Sequence, residues 1–186
     1  MENATNKIAL NTRYSNLLCY QKSVVIFDLT HHFCDRFISK HDRTFDQMVQ
    51  AARSGKQNIT EGHASLSTSK ESGIKLLNVA RASLLELLED YNDYLRLRGI
   101  GPWSRESVEA KTMASLGVEH SDSQYFITMA ESRSDIVIAN MTIILIKQAV
   151  VLIEKYIKSV ISRFAKEGGF REEMTKVRLE TRKKQN

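Results

Sequence analysis

The scarcity of residues that interrupt helices is the feature that most constrains this chain. One proline, Pro102, and eight glycines occur in 186 residues. This scarcity excludes a turn-rich all-β sandwich and favours long helices. Hydrophobic residues make up 42% and charged residues 26% of the chain, which is typical of a globular protein rather than a disordered one. Since the length suits one domain, the sequence predicts a single all-α domain.

Four long segments with apolar residues at helical spacing predict an antiparallel up-down four-helix bundle. The expected helices cover 20–39, 43 to about 62, 67 or 69 to about 98, and 135–166, with Gly62 as the residue that ends the second helix. The third segment is the clearest, and its apolar seam consists of Ile74, Leu77, Leu84, Leu88, Tyr91 and Leu95. The link 61–67 is so short that the second and third helices must run antiparallel.

The segments outside these helices divide the chain further. Residues 1–18 are expected to be a flexible lead-in, 19–166 the bundle, and 167–186 a basic C-terminal suffix or tail. An insert, 99–134, precedes the last helix. Within it the sequence predicts a short helix from 104 to about 113 and a polar loop at 117–123.

The last predicted helix is apolar nearly all round. Its β-branched residues would also suit a strand, but the segment is longer than any usual strand. Such a helix needs burial on two sides. One side can face the bundle core, and the other is most simply a subunit interface, so the chain is expected to form a homo-oligomer.

Positive charge is concentrated at the C-terminal end. The chain has a formal net charge of +5 and a pI of about 9.2. Residues 163–186 hold eight basic and four acidic residues of the totals of 27 and 22, which leaves 19 and 18 for the first 162. A basic segment attracts polyanions, so RNA, DNA or an acidic partner is a candidate ligand. The alternative is a solvated tail that only adds solubility.

Four sequence runs strongly resemble the four-helix-bundle proteins encoded in bacterial 23S rRNA intervening sequences. They are QMVQAARS at 47–54, NITEG at 58–62, SKE at 69–71 and LNVARASLLE at 77–86. The resemblance covers about residues 22 to 99. Asn140, Gln148, Phe164 and the run EGGFRE at 167–172 are similar to a suffix segment found on one branch of the same family.

The resemblance implies a left-handed antiparallel bundle that assembles as a ring-shaped homopentamer. Accessory proteins of diversity-generating retroelements share that fold and bind nucleic acid and a reverse transcriptase through a basic surface. No biochemical activity is established for the intervening-sequence branch. The chain departs from the family at Gly55-Lys56, where an Ile-Pro pair is common, and in the insert before the last helix. The first departure predicts a straighter second helix.

These observations predict a non-enzymatic bundle protein that binds nucleic acid electrostatically, without readout of base sequence. An ordinary amphipathic surface, or a protein-interaction scaffold with no nucleic-acid role, is the alternative. The residues expected to contact phosphates are Arg53, Lys56, Arg96, Arg98, Arg171, Lys176, Arg178, Arg182, Lys183 and Lys184.

Arg81 lies on the seam of the third helix, one heptad from Ile74 and one from Leu88. A buried guanidinium needs a carboxylate partner, because an unpaired buried charge is very costly. Glu61 and Glu86 are the expected partners, within a structural network that includes Asn58 and Ser83. A catalytic role is the alternative, since perturbed ion pairs also occur in active sites.

Motifs for catalysis, cofactors and metals are missing from the sequence. Neither a phosphate-binding glycine loop nor a nucleophile elbow occurs, so no enzyme activity and no cofactor are expected. His31 and Cys34 are spaced for one metal, but nothing completes four ligands. No 18 uninterrupted apolar residues occur, so no membrane span is expected. Two cysteines and the lack of an apolar leader lead us to expect a reduced, cytoplasmic chain.

Overall fold

The computed structural model describes residues 13–167, 178–179 and 181–182, and six long or medium α-helices account for most of them. A short 3-10 helix, Tyr14–Asn16, precedes the first α-helix, and these residues contain no strand. The prediction of an all-α fold is confirmed. The helices are α1 (Leu18–Phe37), α2 (Arg43–Ser65), α3 (Lys70–Arg96), α4 (Val108–Glu119), α5 (Ser123–Glu131) and α6 (Asp135–Glu167).

The four longest helices enclose one apolar core. α1 packs against α2 and α6, and α3 packs against the same two helices. α4 lies on α6 and α5 lies on α1, so the insert covers the outside of this group. The predicted seam of α3 is largely confirmed, because Leu77, Leu84, Tyr91 and Leu95 are fully buried. Ile74 and Leu88 pack against the core from partly exposed positions.

Side-chain caps and one glycine set the helix ends. Asp42 Oδ1 accepts a hydrogen bond from the Thr44 amide at the start of α2, and Ser69 Oγ accepts one from the Ser72 amide at the start of α3. Ser69 is therefore the cap of the third helix. α3 ends before Gly99, whose φ of 71° lies in the left-handed region that favours glycine.

The prediction that Gly62 ends the second helix is wrong, because α2 continues to Ser65. Gly62 lies where α2 and α3 approach most closely. A Cβ atom there would lie 3.0 Å from the Gly73 carbonyl oxygen. Further along, a Cβ at Gly55 would meet Leu84. The two helices are thus antiparallel, and these glycines permit close packing rather than a helix stop.

The insert contains more helix than the sequence predicted. The expected helix at 104–113 is α4, which begins later and continues through Gly117 to Glu119. The predicted loop at 117–123 shrinks to a few residues, and α5 was not predicted. α5 is short, but Phe126 and Ala130 are fully buried, so tertiary packing stabilises it.

α6 carries much of the core. Ile138, Leu145, Ile146 and Ile153 are fully buried, whereas Val151 is 48% exposed. Among the described residues α6 is the one helix long and apolar enough to cross a membrane, and 56% of its most apolar stretch is buried inside the protein. A buried core helix meets the same criterion, and the expectation of no membrane span stays a prediction.

Gly73→Ala tests the close contact between α2 and α3. A Cβ at Gly73 would lie 2.8 Å from the Gly62 carbonyl oxygen and 2.5 Å from Leu66 Cδ2. Overpacking costs about 1–3 kcal/mol, and the gain in helix propensity returns up to about 1 kcal/mol. We expect urea denaturation to show a lower free energy of unfolding. Gly101→Ala, where nothing lies within 4 Å, is the control and should change stability by less than about 1 kcal/mol. Equal stability of the two variants would contradict the contact.

Candidate anion-binding site

The basic residues predicted on the bundle lie in two places and mostly have local partners. Lys56 Nζ lies 3.9 Å from the centre of the Phe27 ring. Arg96 forms an ion pair of 2.8 Å with Asp93. The Arg98 guanidinium lies 3.5 Å from the centre of the Tyr94 ring and 3.7 Å from the Asp135 carboxylate. Arg53 is exposed on α2. The structure therefore does not gather these residues into one strongly positive patch.

The predicted tail residues are only partly described. Arg178 and Arg182 are exposed and helical. Arg171, Lys176, Lys183 and Lys184 lie outside the described residues, and their predicted role stays untested.

Arg81 has a different partner from the two that the sequence suggested. Its guanidinium donates a hydrogen bond of 2.9 Å to the Glu154 carboxylate on α6, whereas Glu61 and Glu86 are both exposed. The side chains of Arg81 and Glu154 are 39% and 40% exposed. The expectation of a buried guanidinium is therefore wrong, because the outer edge of the α3 seam remains open to solvent beside α6.

Asn58 and Ser83 do meet, through a third residue. Ser54 Oγ lies 3.0 Å from Ser83 Oγ, and the Asn58 side-chain amide donates to the Ser54 carbonyl and hydroxyl oxygens. This small network ties α2 to α3 without Arg81.

Acidic residues lie next to this network in a shallow groove between α2 and α3. Asp46, Glu86 and Asp90 line the groove, together with Arg43. Burial raises the pKa of the Asp90 carboxyl, and the neighbouring Asp93 and Glu86 carboxylates raise it further. A polyanion is repelled by this face.

A cleft of about 1070 Å³ lies between α4 and α6, and we call it the α4/α6 cleft. Two side chains of α6 attach α4 and the segment before it to α6. Asn140 Oδ1 accepts a hydrogen bond of 2.6 Å from the Trp103 amide, and the Gln148 amide donates one of 2.8 Å to the Ala114 carbonyl. Gly117 lets α4 lie close to α6, since a Cβ there would meet Gln148 and Leu145.

Lys22 lies at one end of the cleft and is only 4% exposed. Its ammonium donates hydrogen bonds to the carbonyl oxygens of Gly117 and His120, at the C-terminal end of α4. These carbonyls are where a helix dipole is negative, so they favour a cation. Burial nevertheless lowers the pKa of this lysine, and no carboxylate among the described residues forms an ion pair with it.

Three exposed lysines lie on one face of α6, which we call the lysine face. None of them is among the residues predicted from the sequence. Lys147, Lys155 and Lys158 are spaced by eight and three residues, which places them on one side of a helix. Glu154 lies close to that side, but its carboxylate is engaged by Arg81. The spacing of these lysines can be read from the sequence, but they lie in a segment whose most prominent feature is its apolar residues.

The cysteines and histidines do not form a metal site in the described residues, since no group of three or more metal-binding side chains occurs there. Cys19 and Cys34 are buried and free. Burial raises the pKa of the Cys19 thiol to about 11 and that of the Cys34 thiol to about 12. His31 pairs with Asp35 at 2.9 Å instead of sharing a ligand with Cys34.

Comparisons of the chain with protein-family models, curated proteins and solved structures find no match. The likeness to the intervening-sequence proteins therefore stays a prediction from the motifs.

A double-mutant cycle of Arg81→Ala and Glu154→Ala tests the strength of their ion pair. Both side chains are partly solvated, so the coupling free energy should be below about 1 kcal/mol in thermal or urea denaturation. The pair Lys75–Glu71, which is more exposed, provides the matched control cycle. A coupling of about 3–5 kcal/mol would instead indicate a buried pair.

Lys22→Met tests the burial of the lysine. A lowered pKa means that the folded state binds fewer protons than the unfolded state between the folded-state pKa and the ordinary lysine value. The Lys22 contribution to the free energy of unfolding therefore rises with pH in that window, by at most about 1.4 kcal/mol per pH unit.

We expect the stability of the parent relative to Lys22→Met to rise with pH in urea titrations across the alkaline range. Lys75→Met, which removes an exposed lysine, is the control and should show no such trend. Parallel curves for the parent and Lys22→Met would contradict a buried ammonium.

Proposed function

We propose that this chain is a non-enzymatic, oligomeric four-helix-bundle protein that binds the phosphate backbone of nucleic acid electrostatically, without reading base sequence. The resemblance to the intervening-sequence proteins supports the fold and the assembly. The surface charges support the ligand class.

Pairs of contacts along the helices support an antiparallel up-down bundle. α1 and α2 meet at Cys34–Met48 and at Phe27–Lys56, so residue numbers rise on one helix as they fall on the other. α3 and α6 meet at Tyr94–Asp135 and at Arg81–Glu154, with the same opposite order. With the α2–α3 contacts, these pairs favour the topology that the motifs predict.

Exposed apolar residues on the far half of α6 support self-association. Ile161 and Phe164 are 49% and 45% exposed, and they lie beyond the part of α6 that α1 and α3 cover most fully. A homo-oligomer would remove them from water. The pentamer is the form that the resemblance implies.

The lysine face of α6 is the observation that best supports nucleic acid as the ligand. Lys147, Lys155 and Lys158 are exposed, and the nearby Glu154 carboxylate is held by Arg81, so this face is positive in net terms. Repetition of the face around an oligomer would multiply the field felt by a polyanion. Arg53, Arg178 and Arg182 are also exposed and add to the net positive charge of the protein, not to this face.

The aromatic residues argue against recognition of bases. Tyr94 is covered by the Arg98 guanidinium, and Trp103 is partly buried at the α4/α6 cleft. Proteins that bind single strands by stacking present several open aromatic faces. Contacts to phosphates, which need only exposed cations, fit this surface better.

Titration of labelled RNA and duplex DNA at several salt concentrations tests the proposal. The triple variant Lys147→Ala/Lys155→Ala/Lys158→Ala should bind more weakly, and its log–log salt slope on duplex DNA should be smaller by up to about 0.9 for each phosphate that it no longer neutralises. The control, Lys40→Ala/Arg43→Ala/Lys75→Ala, removes the same charge elsewhere and should leave the slope nearly unchanged. Absence of binding by the parent at low salt would refute the proposal.

A scaffold that docks a protein is the second candidate, and the exposed Ile161 and Phe164 favour it. Apolar docking depends little on ionic strength, in contrast to phosphate contacts. A partner retained at high salt by the parent, but absent with Ile161→Ser/Phe164→Ser, would support the scaffold.

A further inference from the structure

The α4/α6 cleft has an apolar interior with a positive rim. Leu18, Ala114, Val151 and Leu152 provide apolar surface from three helices, and Leu18 and Val151 are 62% and 48% exposed. Its volume of about 1070 Å³ lies at the upper end of the range for small-molecule sites. Binding of an apolar ligand over exposed apolar side chains in a concave site is favourable, because it removes apolar surface from water.

The charges on the rim favour an anion. Five cationic side chains line the cleft, against two carboxylates. Lys111 neutralises Glu106 through an ion pair of 3.0 Å, and Ser115 donates a hydrogen bond of 2.8 Å to Glu119. Within the described residues no carboxylate pairs with Arg105, Lys147 or Lys155. The unneutralised charge of the cleft is therefore positive.

The two ends of the cleft differ. Trp103 bonds to Asn140 and Ala114 bonds to Gln148, so α4 and α6 run in the same direction. Arg105 therefore lies just before the start of α4, where the helix dipole is positive. Lys147 is next to Gln148, so it lies level with Ala114, further along the cleft. The other end lies at the last carbonyls of α4, which Lys22 already occupies. The dipole of α4 therefore favours a negative group at the first end over the second.

We propose that the α4/α6 cleft binds a single-chain amphiphile, with its anionic head at Arg105 and Lys147 and its alkyl chain along Ala114, Val151 and Leu152 towards Leu18. The head can be a carboxylate or a phosphate monoester, since both pair with a guanidinium. This inference does not rest on the proposed nucleic-acid binding, although Lys147 belongs to both surfaces.

The single tryptophan of the chain provides the readout, because Trp103 lines the cleft. Laurate, lauryl phosphate and lauryl alcohol are titrated into the full chain below their aggregation limits, with fluorescence and calorimetry as measurements. Both anions should bind and change the Trp103 emission, and the neutral alcohol should bind at least tenfold more weakly. Stronger binding of laurate or of lauryl phosphate distinguishes the two head groups.

Two variants test the two halves of the ligand separately. Arg105→Ala/Lys147→Ala removes exposed side chains and should weaken laurate binding at least tenfold without changing the helix content in circular dichroism. Ala114→Phe fills the interior and should abolish binding of all three probes. Arg43→Ala/Lys75→Ala is the matched control for charge and should bind laurate like the parent.

Three results would overturn the proposal: no laurate binding by the folded parent, equal binding of laurate and lauryl alcohol, or unchanged laurate binding by Arg105→Ala/Lys147→Ala. A fourth would be dissociation of an oligomer by laurate in light scattering, since a second copy would then fill the cleft. Laurate binding by the parent, with nucleic-acid binding absent even at low salt, would refute the proposed function alone.

Discussion

Burial of the inner face of α6 is the constraint on which the rest of the structure depends. This face packs against α1 on one side and α3 on the other, and it removes a long run of β-branched and leucine side chains from water. The same helix then carries α4 on its outer side through Asn140 and Gln148. Core, cleft and lysine face are therefore all built on one helix, and Lys147 and Lys155 belong to both the cleft and the lysine face.

Sequence periodicity was sufficient to predict the long helices, because each has a continuous apolar face. The seam through Leu77, Leu84 and Tyr91 and the cap at Ser69 were both visible as local patterns. Glycines were harder to interpret. Gly62 and Gly117 lie inside helices, and what they permit depends on a partner helix that local sequence does not specify. Helix α5 was missed because tertiary contacts stabilise so short a segment.

The candidate site was less predictable than the fold. The sequence suggests Glu61 on α2 and Glu86 on α3 as partners for Arg81, whereas the actual partner, Glu154, lies 73 residues away on α6. The sequence suggests Arg96 and Arg98 as phosphate contacts, but Asp93 pairs with Arg96, and Asp135 of α6 and the Tyr94 ring engage Arg98. A basic side chain can bind a ligand anion only if no carboxylate of the protein already pairs with it. Such pairs can be identified only from the three-dimensional structure.

The packing of α1 against distant parts of the chain has a consequence for folding order. α2 and α3 form a hairpin of neighbours, which has a small loop-closure entropy and can form early. α1 instead contacts residues that follow it by more than ninety positions, as the bonds from Arg36 to Ala130 and Arg133 show. During synthesis, the part of the apolar face of α1 that packs against α5 and α6 therefore stays exposed to water until those helices have been made. A chain truncated before α4 would leave that face without most of its cover.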